Sequence, residues 1–84
     1  MPLVKEVDLE RIYAETETAK ITDIPLYIQK VIKITGEGND VILTGKAPVW
    51  LYLKIAHALH GKARKLIYRS PVTGDVVIFD HDPL

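Results

Sequence analysis

The stretch from Asp40 to His60 constrains this chain more than any other part of it. Asp40-Val-Ile-Leu-Thr44 has the continuous apolar centre of a buried strand. It breaks at Gly45-Lys46, and Pro48 then stands where a helix takes its first residue. Its fixed φ suits that position, and its missing N–H is no loss there. From Pro48 to His60, Trp50 or Leu51, Leu53, Ile55, Ala56, Ala58 and Leu59 are apolar around most of a helical circumference. Gly61 supplies the residue at which helices often close. Arg64–Tyr68 reads as the next strand. Strand, helix and strand in that order imply a right-handed crossover with parallel strands. A βαβ unit over residues 40–69 is therefore expected, and with it an α/β fold.

The flanking segments extend this unit. Ser70-Pro71-Val72-Thr73-Gly74 is a Pro-to-Gly turn, so Asp75–Phe79 should return antiparallel as a C-terminal hairpin, with Asp80-His81-Asp82-Pro83 ending the chain. Gly36-Glu37-Gly38-Asn39 is a turn on the other side. Val4–Val7 and Arg11–Thr18 carry alternating or β-branched patterns. In the second, Ile12, Ala14, Thr16 and Thr18 share one face, with Tyr13, Glu15 and Glu17 on the other. The pattern reads as one long or two short strands. Asp23-Ile24-Pro25 looks like a helix start, with Asp23 as N-cap. Leu26, Gln29, Lys30 and Lys33 continue it as a short helix, while the β-branched Ile28, Val31, Ile32 and Ile34 favour an extended chain. The expected whole is a single domain over residues 1–84: a small ferredoxin-like α/β domain, one mixed sheet with helices mainly on one face.

Eighty-four residues form a real core but leave too little chain to enclose a deep pocket, so a site is expected to need more than one copy. The formal net charge is zero, which argues against a general nucleic-acid binder and against double-stranded DNA as partner. The charge is uneven along the chain. Residues 1–40 hold eight acids and five bases, whereas residues 41–84 hold three acids and six bases. Positive charge is thus expected near the histidines of the helix end, unless Lys62, Arg64 and Lys65 only form a solvated turn. There is no cysteine, which removes disulfides and thiolate zinc sites and fits a cytoplasmic protein. The apolar runs are too short to span a membrane.

Four groups of residues carry possible chemistry. Gly45, Lys46 and the helix start after them suit an anion, because uncapped N–H groups and the macrodipole favour negative charge. The same pattern also fits an ordinary strand-to-helix turn with a surface lysine. His57 and His60, at i and i+3, share one edge of the last helical turn. They suit proton transfer or metal ligation, or equally a cap or an interface. His81 lies between Asp80 and Asp82, a ligand candidate or part of a polar tail. Trp50 and Tyr52 can stack on bases or pack in the core.

The pattern Val41-Ile-Leu-Thr-Gly45-Lys-Ala-Pro48-Val-Trp50-Leu-Tyr52, then Ala56-His57-Ala-Leu-His60, then Tyr68, Pro71 and Gly74-Asp-Val-Val-Ile-Phe-Asp-His81, resembles the small CRISPR-associated Csx-three proteins over about residues 40–83. These are ferredoxin-like ring nucleases, also described as manganese-dependent deadenylating RNA exonucleases. The resemblance implies cleavage of cyclic tetra-adenylate, or action on an RNA 3′ end, in type III CRISPR antiviral defence. It also implies a homodimer or homotetramer that sandwiches the ligand, and a divalent metal, usually Mn2+. It makes His60 the catalytic residue and Lys46 the basic residue after the glycine, with His81 as the closing histidine. Gly45, Lys46, Arg69 and Tyr52 are then the expected phosphate- and ligand-binding set, supported by His57, Asp75 and His81. One departure stands out. The family's Asp-Pro-Arg-Leu-Gly turn is replaced by Arg69-Ser-Pro-Val-Thr-Gly74, one residue longer and without the acid. Arg69 and Asp75 flank that turn. A non-catalytic sensor or sponge for the same ligand, and a structural interaction module, are the competing readings.

Overall fold

The computed structural model describes residues 2–81; Asp82 and Pro83 of the expected tail lie outside the described residues. The chain runs β1 (Val4–Asp8), α1 (Leu9–Ile12), two 3-10 turns (Ala14–Thr16 and Ile21–Asp23), α2 (Ile24–Thr35), β2 (Asp40–Thr44), α3 (Val49–Leu59), β3 (Lys65–Ser70) and β4 (Gly74–Asp80). The strands form one four-stranded mixed sheet in the order β1-β2-β3-β4. β1 and β2 are parallel, as are β2 and β3, while β4 returns antiparallel. The expected βαβ unit and C-terminal hairpin are both present, in the compact ferredoxin-like α/β arrangement that the sequence suggests.

Two crossovers in the same direction put α2 and α3 on one face of the sheet, where they pack against each other. Each helix offers a stripe at i, i+4 and i+8: Tyr27, Val31 and Thr35 on α2, and Leu51, Ile55 and Leu59 on α3. These meet Val7, Val41, Leu43 and Leu66 from the strands, all 2% exposed or less. Full burial of each such side chain contributes roughly 1.5–3 kcal/mol. The opposite face carries no helix. Its alternate residues are Glu6, Ile42, Ile67, Arg69 and Asp75.

The helix-poor ends are tied by polar side chains. Asn39 donates from Nδ2 to the Thr35 carbonyl at 2.9 Å and accepts from the Leu3 N–H at 3.0 Å, joining the exit of α2 to the start of β1. Arg64 grips Asp40 with two bonds of 2.8 Å. That guanidinium holds the Asp40 carboxyl below its ordinary pKa, first through the hydrogen bonds; burial opposes the shift, and the charges of Arg64 and Lys65 add to it. No helix among the described residues is long and apolar enough to cross a membrane.

The N-terminal reading needs correction. Arg11–Thr18 is not a strand: α1 ends at Ile12, Ala14–Thr16 is a 3-10 turn, and Glu17 has φ +64°. Asp8 explains the change, because its carboxylate accepts the Glu10 N–H at 2.9 Å and caps a helix start. Leu9 and Ile12, three apart, both enter the core, whereas Ala14, Thr16 and Thr18 are exposed, so their alternation buries nothing. Helix α2 is a full twelve residues despite its β-branched content. The packed stripe outweighs the small intrinsic preference. Asp23 is at the N-cap position but makes no capping hydrogen bond. Pro48 is the N-cap of α3, extended at φ −64°, ψ 151°, and not its first helical residue.

Candidate functional site

Beyond the carboxyl ends of β2 and β3 lies a cleft of about 460 Å³. Gly45, Lys46, Tyr52 and Arg69 all line it, together with Tyr68, Thr44 and Pro71. The fold thus gathers the whole expected ligand-binding set in one place. It does so at the position where parallel α/β sheets usually offer a crevice.

The loop that forms the cleft floor is held rigidly. Gly45 has φ +101°, and a Cβ there would run into the Asp8 carboxylate, with the Leu9 nitrogen also close by. Only glycine fits that backbone. The Tyr52 hydroxyl donates to the Gly45 carbonyl at 2.5 Å, and the Tyr13 hydroxyl donates to the Lys46 carbonyl at 2.6 Å. Tyr68 meets Tyr52 edge-on, with ring centroids 5.0 Å apart. Burial, with smaller effects from Tyr68, Asp8 and Tyr13, pushes the Tyr52 pKa up to about 12. The phenol therefore stays protonated at neutral pH and acts as a donor that fixes the loop. Tyr13 is shifted upward as well, by desolvation and then by Glu10 and Asp8. Lys46 is exposed. No side chain caps the start of α3, so the N–H groups of Val49 and Trp50 stand beside Lys46 as donors for an anion.

Arg69 and Asp75 do more than flank the turn. They are cross-strand partners in the hairpin register, joined by bonds of 2.9 and 3.3 Å, while the third nitrogen of Arg69 reaches Glu6 at 3.1 Å. Asp75 is held below its ordinary pKa chiefly by its hydrogen bond to Arg69. The turn between them is closed by Ser70 Oγ, which accepts the Val72 and Thr73 N–H groups.

The histidines lie elsewhere. His60 is the C-cap of α3, and its ring packs edge-on against His81 at 5.0 Å and Phe79 at 5.4 Å. His81 is fixed by its N–H donating to the Arg64 carbonyl at 2.7 Å. His57 is exposed one turn earlier, so the partner of His60 is His81 and not His57. Between this cluster and Lys46 runs the whole of α3, about 16 Å at 1.5 Å per residue. Within one chain, His60 does not meet the cleft. The expected positive field beside it is partly neutralised: Lys62 pairs with Glu37 and Arg64 with Asp40.

Among the described residues no group of three His, Cys, Asp or Glu side chains could hold a metal ion. His60 and His81 offer at most two imidazole donors, which does not make a manganese site within one chain.

Tyr13, Tyr68, Asp8 and Glu6 belong to this neighbourhood although sequence reasoning did not assign them to it. Tyr68 falls within the quoted motif and was open to discovery. Tyr13 was hidden by the strand reading of Arg11–Thr18. Asp8 and Glu6 are brought in only by the parallel pairing of β1 with β2.

A family model described as CRISPR-associated protein (Cas_csx3) matches residues 16–84. The match extends further toward the N-terminus than the motif block at residues 40–83, taking in α2 and leaving β1 and α1 outside it. No curated protein and no solved structure matches the chain.

Proposed function

The chain belongs to the Cas_csx3 family of CRISPR-associated proteins, and we propose that it is a cytoplasmic ring nuclease that binds and cleaves cyclic tetra-adenylate between copies of itself. The observation that carries this reading is the separation of the two half-sites along α3. A cleft suited to phosphate sits at one end and an imidazole pair at the other. One copy has both halves and cannot use them together. A second copy that brings its His60 to the cleft completes the set.

In this reading Lys46 and the first N–H groups of α3 hold a phosphate, and the Tyr52–Tyr68 wall receives adenine by stacking or edge contact. His60 from another copy takes the proton of a ribose 2′-hydroxyl. The hydroxyl oxygen attacks the neighbouring phosphorus, the 5′-oxygen leaves and is protonated, and a 2′,3′-cyclic phosphate end remains. No step is routed through manganese, because the residues of one chain do not form its site. An RNA 3′ end offers the same phosphate and base chemistry and is a second substrate to test.

Binding without turnover is the competing reading. It is favoured by the turn Ser70–Thr73, which carries no acid, and by Asp75, the nearest one, being engaged with Arg69. Incubating wild type and His60→Ala with cyclic tetra-adenylate, with and without divalent metals, separates the two. The nuclease reading expects wild-type cleavage and a loss of about 10²–10⁴ in His60→Ala with ligand binding retained. Tight wild-type binding with no cleavage under any metal leaves the sensor reading standing.

A further inference from the structure

Arg69 lines the cleft beside Lys46, yet two carboxylates already hold its guanidinium. Asp75 takes Nε and Nη2, whereas Glu6 takes Nη1 alone at 3.1 Å. The two contacts differ in strength. Asp75 is the register partner of Arg69 and binds it with both oxygens. Glu6 stands on β1, two strands away, so the arginine must cross the helix-free face of β2 to reach it. Ile42 on that face is only 8% exposed although no helix covers it. The Glu6 side chain is itself 55% exposed. Of the two partners, Glu6 is the easier to displace.

Resting on the reading of the cleft as a phosphate site, we propose that Glu6 is a specificity-determining residue: a built-in carboxylate that competes with ligand phosphate for one edge of Arg69. Lys46 and Arg69 are the cations that line the cleft, Asp75 and Glu6 are the carboxylates that hold Arg69, and the Asp8 carboxylate lies beside Gly45. A single phosphate that takes Arg69 from Glu6 exchanges one anion for another and gains little. A ligand with several phosphates keeps Lys46 and the α3 start engaged while Arg69 turns to it, so the cleft favours a polyphosphate backbone over a mononucleotide. Arg69 and Asp75 lie within the residues that the family model matches, and Glu6 lies outside them.

The test is to titrate inorganic pyrophosphate and cyclic tetra-adenylate into the full chain as wild type, Glu6→Gln, Lys46→Ala and Glu37→Gln. Glu37 pairs with Lys62 beyond α2, so Glu37→Gln controls for net charge. Glu6→Gln should tighten both ligands by roughly two- to fivefold at low salt, the scale of one exposed ion pair. The gain should fade as salt rises, and Glu37→Gln should bind as wild type does. Glu6→Asp, with its shorter reach, should tighten binding too, and thermal unfolding of Glu6→Gln should stay near wild type. If Lys46→Ala weakens binding while Glu6→Gln changes nothing, Glu6 has no such role and the cleft reading survives. If neither ligand binds wild type or Glu6→Gln, both ideas are overturned.

Discussion

At the scale of single residues, the cleft depends on a backbone position that only glycine fills and on two hydroxyls that hold it. Gly45→Ala forces a Cβ against the Asp8 carboxylate at φ +101°. The substitution should cost about 1–3 kcal/mol of stability, measured by urea unfolding. Tyr52→Phe removes the donor to the Gly45 carbonyl, which water can then reach, and should cost about 0.5–1.5 kcal/mol. The raised Tyr52 pKa adds a pH signature. A folded value of about 12 against an ordinary 10.0 means the neutral phenol is favoured by folding. Its contribution is fully present below pH 10 and is lost as pH rises through 12. Alkaline unfolding of wild type over that window, and a flatter profile in Tyr52→Phe, would be seen by ultraviolet titration. The Gly45 and Lys46 roles were legible because strand, glycine and helix follow one another directly in sequence. The hydroxyl of Tyr13 was not, since it reaches Lys46 across 33 positions.

At the scale of elements, residues 40–80 were readable because each strand or helix there has its own punctuation: Gly36–Asn39, Gly45–Pro48, Gly61 and the Pro71–Gly74 turn. The N-terminal stretch misled because its alternation was real in sequence but buried only Ile12, while the decisive signal was one capping carboxylate, Asp8. The strands also need clamps, and Arg64 with Asp40 is the clearest. Asp40→Asn should lower stability at neutral pH by about 1 kcal/mol, the lower end for a charge-assisted hydrogen bond that water partly screens. The folded Asp40 carboxyl has a lowered pKa. Its contribution is present above the ordinary value of 3.8 and lost as pH falls through the lower folded one. Wild type and Asp40→Asn should therefore converge in stability only below about pH 4, in thermal melts across acid pH.

At the scale of the whole molecule, two helices cover a four-stranded sheet incompletely. An apolar groove of about 280 Å³ runs between α3 and β4, lined by Leu43, Val49, Leu53, Leu66 and Ile78 among others. Val49, Leu53 and Ile78 are 73%, 65% and 50% exposed, a patch of the kind that marks contact with another protein. A second copy is the occupant that the divided site calls for. Light scattering should find at least a dimer, and Leu53→Glu should shift it toward monomer with the far-ultraviolet circular dichroism unchanged. The division was legible in the sequence, which set Lys46 at the start of the helix and His60 on its last turn; the pairing of His60 with His81 in place of His57 was not, because it depends on where β4 ends.

That division gives the most direct test. Lys46→Ala and His60→Ala each spoil a different half-site, so each alone should cleave cyclic tetra-adenylate poorly. Mixed and allowed to exchange subunits, they can pair an intact cleft with an intact His60. Cleavage should then recover to a sizeable fraction of the wild-type rate. If wild type is active while the mixture stays as inactive as its two components, the site is not shared between copies.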